Sequence, residues 1–345
     1  MRRYMTILLV LALSVTLLVA AACAPAPAPA PASAEEFFRN NSITLYVNGS
    51  VGGSTDFEAR IFASFWGEAT GGPGMRVEVK PGGGGTEGIM EVYNAEPDGT
   101  AMGITFHSSD FYGPPLLETF GITFDPREMG WIGIQGAEWR ELVISPDKTL
   151  DDLLKKGKVK LGATNVGGAI FTGDIVFIEL FDLDGEIVAG YEWSELPLAM
   201  ERGEIDGWSS ETSDTDFLDS KGFAKPVVSG TFERGEFYPD LPAIAELVTL
   251  TPEKERLLTF LNSAFARGRS FYTTPDVPAD RVDYMRRTFD KIMANPGFKD
   301  QLSRVFKVWT TPWTGEQVEK DANEVLALPA DVVNSVKDLM PKYVR

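Results

Sequence analysis

From Ser42 onward, short apolar runs alternate with longer stretches whose apolar residues recur at helical spacing. Residues 43–47 form the first run, and residues 75–80 alternate apolar with polar; both read as strands. Residues 101–105, 132–136, 142–145, 159–163, 187–191 and 205–208 read the same way. Between them, Phe57, Ile61, Phe62 and Phe65 share one face of a helix, and Leu150, Leu153 and Leu154 point inward from another over 149–156. Residues 169–181 and 194–202 complete the helices of this half. The C-terminal part changes character: residues 253–271, 279–294 and 315–328 read as long amphipathic helices, separated by Pro275, Pro278, Pro296 and Pro312. Alternating strands and helices predict an α/β class with largely parallel sheets. No fixed repeat longer than the strand–glycine–helix unit is visible, which excludes a solenoid.

Three of the strand-to-helix junctions are glycine-containing. After the first strand comes Gly49-Ser50-Val51-Gly52-Gly53-Ser54-Thr55-Asp56, and Thr55 with Glu58 fits a capping box. A side-chain-free loop that empties into a helix N-terminus presents unpaired N–H groups and a positive dipole end. It can therefore bind an anion without a basic side chain. Pro81 to Gly88 repeats the device after the second strand, and Thr164-Asn165-Val166-Gly167-Gly168 after the strand at 159–163. All three junctions fall at the carboxyl ends of strands, where open α/β sheets bind ligands.

In this order the segments resemble the substrate-binding proteins of tripartite tricarboxylate transporters, also called the Bug family. The resemblance lies in the block Gly52–Arg60, the PGGGGTEG block at Pro81–Gly88 and PDGT at Pro97–Thr100. Gly190-Tyr191 and the stretch from Leu198 to Gly207 fall where that family has matching features. The five blocks cover roughly residues 43–210. The resemblance implies a type II periplasmic-binding-protein fold, two α/β lobes with a ligand cleft between them. It also implies that opposed loops hold a ligand carboxylate with backbone and hydroxyl donors. The chain departs from the common family pattern in Ser50-Val51-Gly52-Gly53, which lacks a Pro-x-Gly-Gly, and in Gly83-Gly84, where Gly-Ala is frequent.

On that basis the expected ligand-binding residues are Ser50, Val51, Gly52, Gly53, Ser54, Thr55 and Asp56 from the first loop. Gly84, Gly85, Thr86 and His107 join them on the same side, Gly83 to Thr86 shaping the cleft floor. Thr164, Asn165, Val166, Gly167, Gly168, Tyr191, Ser209 and Glu211 are expected from the other lobe. Asp56 is expected to orient the loop or meet a ligand donor. Arg60, one turn on, reads as its structural partner.

The N-terminus changes the picture of where the protein works. Arg2 and Arg3 precede an apolar run over 5–19, and Ala20-Ala21-Ala22-Cys23 follows, the pattern of a secretory signal. It resembles a bacterial lipoprotein signal with Cys23 as the lipidated mature N-terminus, although Ala20 stands where leucine is usual. Residues 24–32 alternate Ala and Pro, a polyproline II spacer between anchor and fold. The expected division is signal peptide 1–22, anchor and linker 23–38, one lobe from 39–140 plus 239–345, and the other from 141–238. Crossings are placed near residues 138–142 and 236–241.

Composition and chemistry exclude several classes. The formal net charge is −18 and no Lys/Arg cluster exceeds a pair, which disfavours nucleic acid as a partner. Cys23 is the only cysteine, so no intrachain disulfide forms and the fold depends on its core. The same scarcity, with His107 the only histidine, leaves nitrogen or sulfur metal ligation nothing to use, and no metal or cofactor is expected. Gly83 to Gly88 matches G-x-G-x-x-G, but Pro81 interrupts the tight turn and no acid ends the following strand. Asp182-Leu183-Asp184-Gly185-Glu186 begins like a calcium loop, yet Trp193 occupies the glutamate position, so it reads as a turn. Trp66, Trp131 and Trp309 read as core, while Trp139, Trp193 and Trp208 fall where an aromatic could wall a pocket.

The functional expectation is a monomeric, lipid-anchored extracytoplasmic binding protein that hands a small organic carboxylate to membrane transporter subunits. Two alternatives stand beside it: a ligand sensor on the same fold, and a secreted enzyme. The latter would need a base, nucleophile and orienter assembled around one histidine.

Overall fold

The computed structural model describes residues 33–82, 86–106, 108–119, 121, 124–306 and 311–344. The signal segment, Cys23, the Ala/Pro spacer, Gly84, Gly85, His107 and Trp309 lie outside them. Helix α1 (Ala34–Asn40) leads into β1 (Thr44–Val47), α2 (Ser54–Thr70), β2 (Arg76–Val79), α3 (Glu87–Tyr93), β3 (Ala101–Phe106) and β4 (Gly130–Ile134). A second region follows with β5 (Arg140–Ile144), β6 (Val159–Ala163), α4 (Ala169–Leu180), β7 (Gly185–Ala189), β8 (Gly207–Glu211), α5 (Thr212–Ser220) and β9 (Lys225–Ser229). Then come α6 (Pro252–Ala264), β10 (Arg269–Thr273), α7 (Ala279–Met293), β11 (Trp313–Thr314) and α8 (Gly315–Val325).

The strands form two sheets, in the orders β11-β4-β10-β3-β1-β2 and β7-β6-β8-β5-β9. Each anchors one α/β lobe. The chain leaves the first sheet after Ile134, enters the second at Arg140, and rejoins the first at Arg269.

The sheets are mixed rather than largely parallel. β1 pairs parallel with β2 and β3, and β6 parallel with β7 and β8; β10 runs antiparallel to β3 and β4, and β5 antiparallel to β8 and β9. Antiparallel neighbours arise because the chain changes lobes, so a returning strand need not follow a right-handed crossover.

The helix expected over 253–271 is a second correction. α6 stops at Ala264, and the following Phe265 leaves helical geometry at φ −131°. Gly268 then donates to the Gly136 carbonyl at 2.9 Å, where a Cβ would stand 2.7 Å from that oxygen. Arg269 to Thr273 alternate across a sheet buried on both faces, and all five are buried. The strand expected at 205–208 also shifts, so that Ser209, Ser210 and Glu211 belong to β8 rather than to a loop.

Aromatic packing fixes the first sheet against its helices. Phe62 of α2 lies 4.2 Å from Phe271 of β10, ring centre to ring centre, and Trp66 and Phe289 complete the cluster. Each such buried ring contributes about 2–3 kcal/mol of transfer free energy. This rigid backing holds α2 and the loop before it.

Candidate functional site

The loop after β1 is fastened from below. Asp56 accepts from the Gly52 amide at 2.9 Å through Oδ2, while its Oδ1 pairs with Arg60 Nε at 2.8 Å. Gly53 N–H donates to the Ser50 carbonyl at 3.0 Å, and Gly52 sits at φ +75°, the left-handed region that glycine enters without penalty. The first bond of the α2 ladder is Phe57 N–H to the Gly53 carbonyl, which leaves the amides of residues 54–56 ahead of it. The opposing loop repeats this: Thr172 N–H to the Gly168 carbonyl begins the α4 ladder, with the amides of residues 169–171 ahead.

The capping box expected from Thr55 and Glu58 does not form. The N-cap is Gly53, without a side-chain cap, and Glu58 turns inward instead. It is fully buried, 3.4 Å from Arg269 Nη1, with the Gln135 amide oriented to donate to both its oxygens at 2.9 and 2.8 Å. An ion pair with a buried guanidinium outcompetes one local backbone contact.

Between the loops opens a cleft of about 460 Å³ that draws on both sheets. Of the expected residues, Ser50, Val51, Gly52, Gly53, Ser54, Thr55, Thr164, Asn165, Gly168, Tyr191 and Glu211 line it. Asp56 supports the loop from behind, and Ser209 is buried beneath the floor with its N–H donating to Asp174 at 2.6 Å. Val166 points to solvent, Gly167 packs against Thr119, and Thr86 heads α3; none of these lines the cleft. Among the tryptophans, Trp193 lines it, Trp208 is core, and Trp139 packs on Phe237.

The floor joins an expected residue, Glu211, to one outside the expected set, Arg140. Arg140, the first residue of β5, sits directly across from Glu211 of β8 and pairs with it at 3.3 Å through Nη2. It is 2% exposed, it lines the cleft, and its Nε and Nη1 have no hydrogen-bond partner. A buried guanidinium with two free N–H edges costs stability unless something accepts from them. Beside it, Asp174 of α4 accepts from Ser209 through Oδ1 and leaves Oδ2 unpartnered.

Arg269 ties the two lobes together. From β10 it donates to Ser54 Oγ at 2.8 Å and Thr55 Oγ1 at 3.3 Å, and to Ser213 Oγ of α5 at 3.2 Å. Glu58, Glu138 and Asp214 lie 3.4–3.6 Å from its nitrogens, and Phe106 stacks 4.3 Å from its guanidinium carbon. Glu138 in turn accepts from the Ser213 amide at 3.0 Å and hydroxyl at 2.8 Å, capping α5. Ser54 and Thr55 accept from Arg269, and Ser54 in turn hydrogen-bonds the Asp214 carboxylate.

Burial governs the acids of this floor. It pushes the Glu58 carboxyl up to about 7 against the opposing pull of Arg269, and that of Glu141 up to about 8 against hydrogen bonds from Thr212 and Thr215. Asp174, Glu211 and Asp214 are raised for the same reason, each partly offset by an arginine. Among the described residues no cluster of His, Cys, Asp and Glu has the form of a metal site, and no helix is long and apolar enough to cross a membrane.

Solved structures of the same architecture exist. A TctC solute-binding protein from Polaromonas superposes with TM-score 0.61 at 17% identity, covering 85% of this chain and 98% of that one. MatC from Rhodopseudomonas palustris with bound malate gives 0.66 at 17% identity, covering 85% and 99%. A second R. palustris protein, with adipate, gives 0.66 at 16% identity, covering 86% and 97%. The fold is that of the periplasmic solute-binding proteins. No family model matches the chain, and no curated protein matches it.

Proposed function

We propose that this protein is an extracytoplasmic solute-binding protein of the tripartite tricarboxylate type. It captures a small organic carboxylate in the interlobe cleft and delivers it, without turnover, to a membrane transporter. The observation that carries this reading is Arg140: a buried guanidinium with two unpartnered nitrogens, lining a cleft that two helix N-termini also face. The malate and adipate bound by proteins of the same fold agree with a carboxylate ligand. In this reading the lobes are 39–140 plus 239–345 and 141–238, and the protein acts as a monomer held at the membrane through Cys23.

A calorimetric panel of mono-, di- and tricarboxylates and amino acids beside neutral sugars and cations tests the ligand class. At least one member of the carboxylate-bearing set binds, and Arg140→Gln abolishes or cripples that binding. A response confined to sugars or cations would refute the reading. Cys23→Ser tests the anchor: the variant should leave the membrane with ligand affinity unchanged. Retention of the variant after alkaline washing would point to an uncleaved helix instead.

A further inference from the structure

Acidic side chains outnumber basic ones around the cleft. Among its described lining residues, one cation, Arg140, stands against Asp110, Glu192, Glu211 and Asp214. Arg140 is already paired with Glu211. Arg269 beneath divides its charge among Glu58, Glu138 and Asp214 at 3.4, 3.6 and 3.6 Å, so it cannot neutralise Asp214 alone.

Unsatisfied acceptors accompany the excess. Asp214 is 7% exposed; its carboxylate takes a hydrogen bond from Ser54, while its Oδ1, 3.6 Å from Arg269 Nη2, has no hydrogen bond. Asn48, 3% exposed at the end of β1, donates its amide to Thr105 and to Asp110, which leaves its Oδ1 unpartnered. Asn48 belongs to the first sheet's lobe and Asp214 to the second's, and both line the cleft. The same cleft thus holds free donors at Arg140 and free acceptors at Asn48 and Asp214.

A plain dicarboxylate would satisfy the donors only. Its second anionic end would then enter a site already rich in carboxylates, where like charges repel strongly at low dielectric. An ammonium group on the ligand reverses that penalty. It donates to the free oxygens and restores the balance that the ligand's own carboxylate disturbs.

We infer that the physiological ligand is dipolar, an amino acid whose carboxylate meets Arg140 and whose ammonium group is received by Asp214 Oδ1 and Asn48 Oδ1. Phe106, Ile170, Tyr191 and Trp193 line the rest of the cleft, so leucine and phenylalanine are the leading probes. The inference rests on the carboxylate reading above and narrows it.

The test titrates the full chain calorimetrically with matched pairs. Leucine is set against 4-methylpentanoate, phenylalanine against 3-phenylpropanoate, and aspartate against succinate. The expected result is that in at least one pair the amino acid binds about tenfold more tightly or better, equivalent to about 1.4 kcal/mol. Asp214→Asn should narrow that gap, weakening the amino acid relative to its des-amino partner. The wild-type comparison stands even if the variant fails to fold. Des-amino acids or succinate binding as tightly as their partners would overturn the inference and leave the carboxylate reading intact. If no carboxylate-bearing compound binds while a sugar or cation does, both fall.

Discussion

The two walls of the cleft are made of different materials. The loop from Gly49 to Asp56 works through backbone: free amides, a left-handed glycine and one buried aspartate that holds the turn. The floor opposite works through buried charge, with Arg140, Glu211, Asp214 and Arg269 packed among acids. A backbone wall is generic, because amides accept any oxyanion of suitable shape. A charged wall selects, because its unpaired atoms exact a penalty from every ligand that leaves them unmet. In the proposed reading, capture of the anion falls to the backbone amides of both loops together with Arg140, and discrimination to the remaining buried charge of the floor.

The largest expected effect lies in the floor. Arg140→Gln should weaken binding of the ligand found by titration by about 2 kcal/mol or more, roughly thirtyfold. It also leaves Glu211 without its partner, so a lower melting temperature should accompany the loss. Near wild-type affinity in a folded Arg140→Gln would move capture entirely to the glycine loops.

Next comes the backbone wall. A Cβ at Gly53 would stand 3.1 Å from the Ser50 carbonyl, against the turn that Gly53 N–H closes. Gly53→Val should therefore cost about tenfold in affinity, near 1.4 kcal/mol, with the circular dichroism spectrum kept. Unchanged affinity would remove this loop from the site.

How legible each wall was in the sequence follows from its material. Glycines between a strand and an amphipathic helix announce a backbone site, so Ser50 to Thr55 and Thr164, Asn165 and Gly168 could be named from spacing and resemblance, whereas Val166 and Gly167 of the same loop turn away from the cleft. Buried charge gives no such signal. Arg140 looks like a surface residue at the mouth of an apolar strand, and only the register opposite Glu211 makes it floor. Arg269 was hidden by a helical reading of 253–271, because Phe260, Ala264 and Phe271 sit at spacings that a helix also allows. The break at Gly268 depends on close approach to Gly136, a contact made by residues far away in the chain.

The floor also makes stability depend on pH. Glu58 rises from an ordinary 4.5 to about 7, and Glu141 to about 8, both through burial. Folding therefore takes up protons across this window: their contribution is fully present below about pH 4 and is lost as the pH rises through 7 and 8. Urea unfolding should give a lower free energy at about pH 8.5 than at about pH 5.5, by a few kcal/mol, and Glu141→Gln should flatten the slope. A free energy that rises over this range would contradict the assignment.

The smallest effect is expected away from both walls. Thr149 accepts from the Asp152 amide at 3.2 Å, and Asp152 accepts from the Thr149 amide at 2.8 Å, a reciprocal cap on the helix Leu150–Leu154. Thr149→Ala should cost about 1 kcal/mol of stability and leave affinity untouched. Reduced affinity would show that the second lobe transmits strain to its floor.

The most direct test is a crystal structure of the protein with the tightest-binding ligand from the titrations. The account predicts a carboxylate oxygen within about 3 Å of Arg140 Nε or Nη1, with amides of the loop ahead of α2 closing on the same group. A carboxylate seated elsewhere in the cleft, with Arg140 still bonded to Glu211 alone, would contradict it.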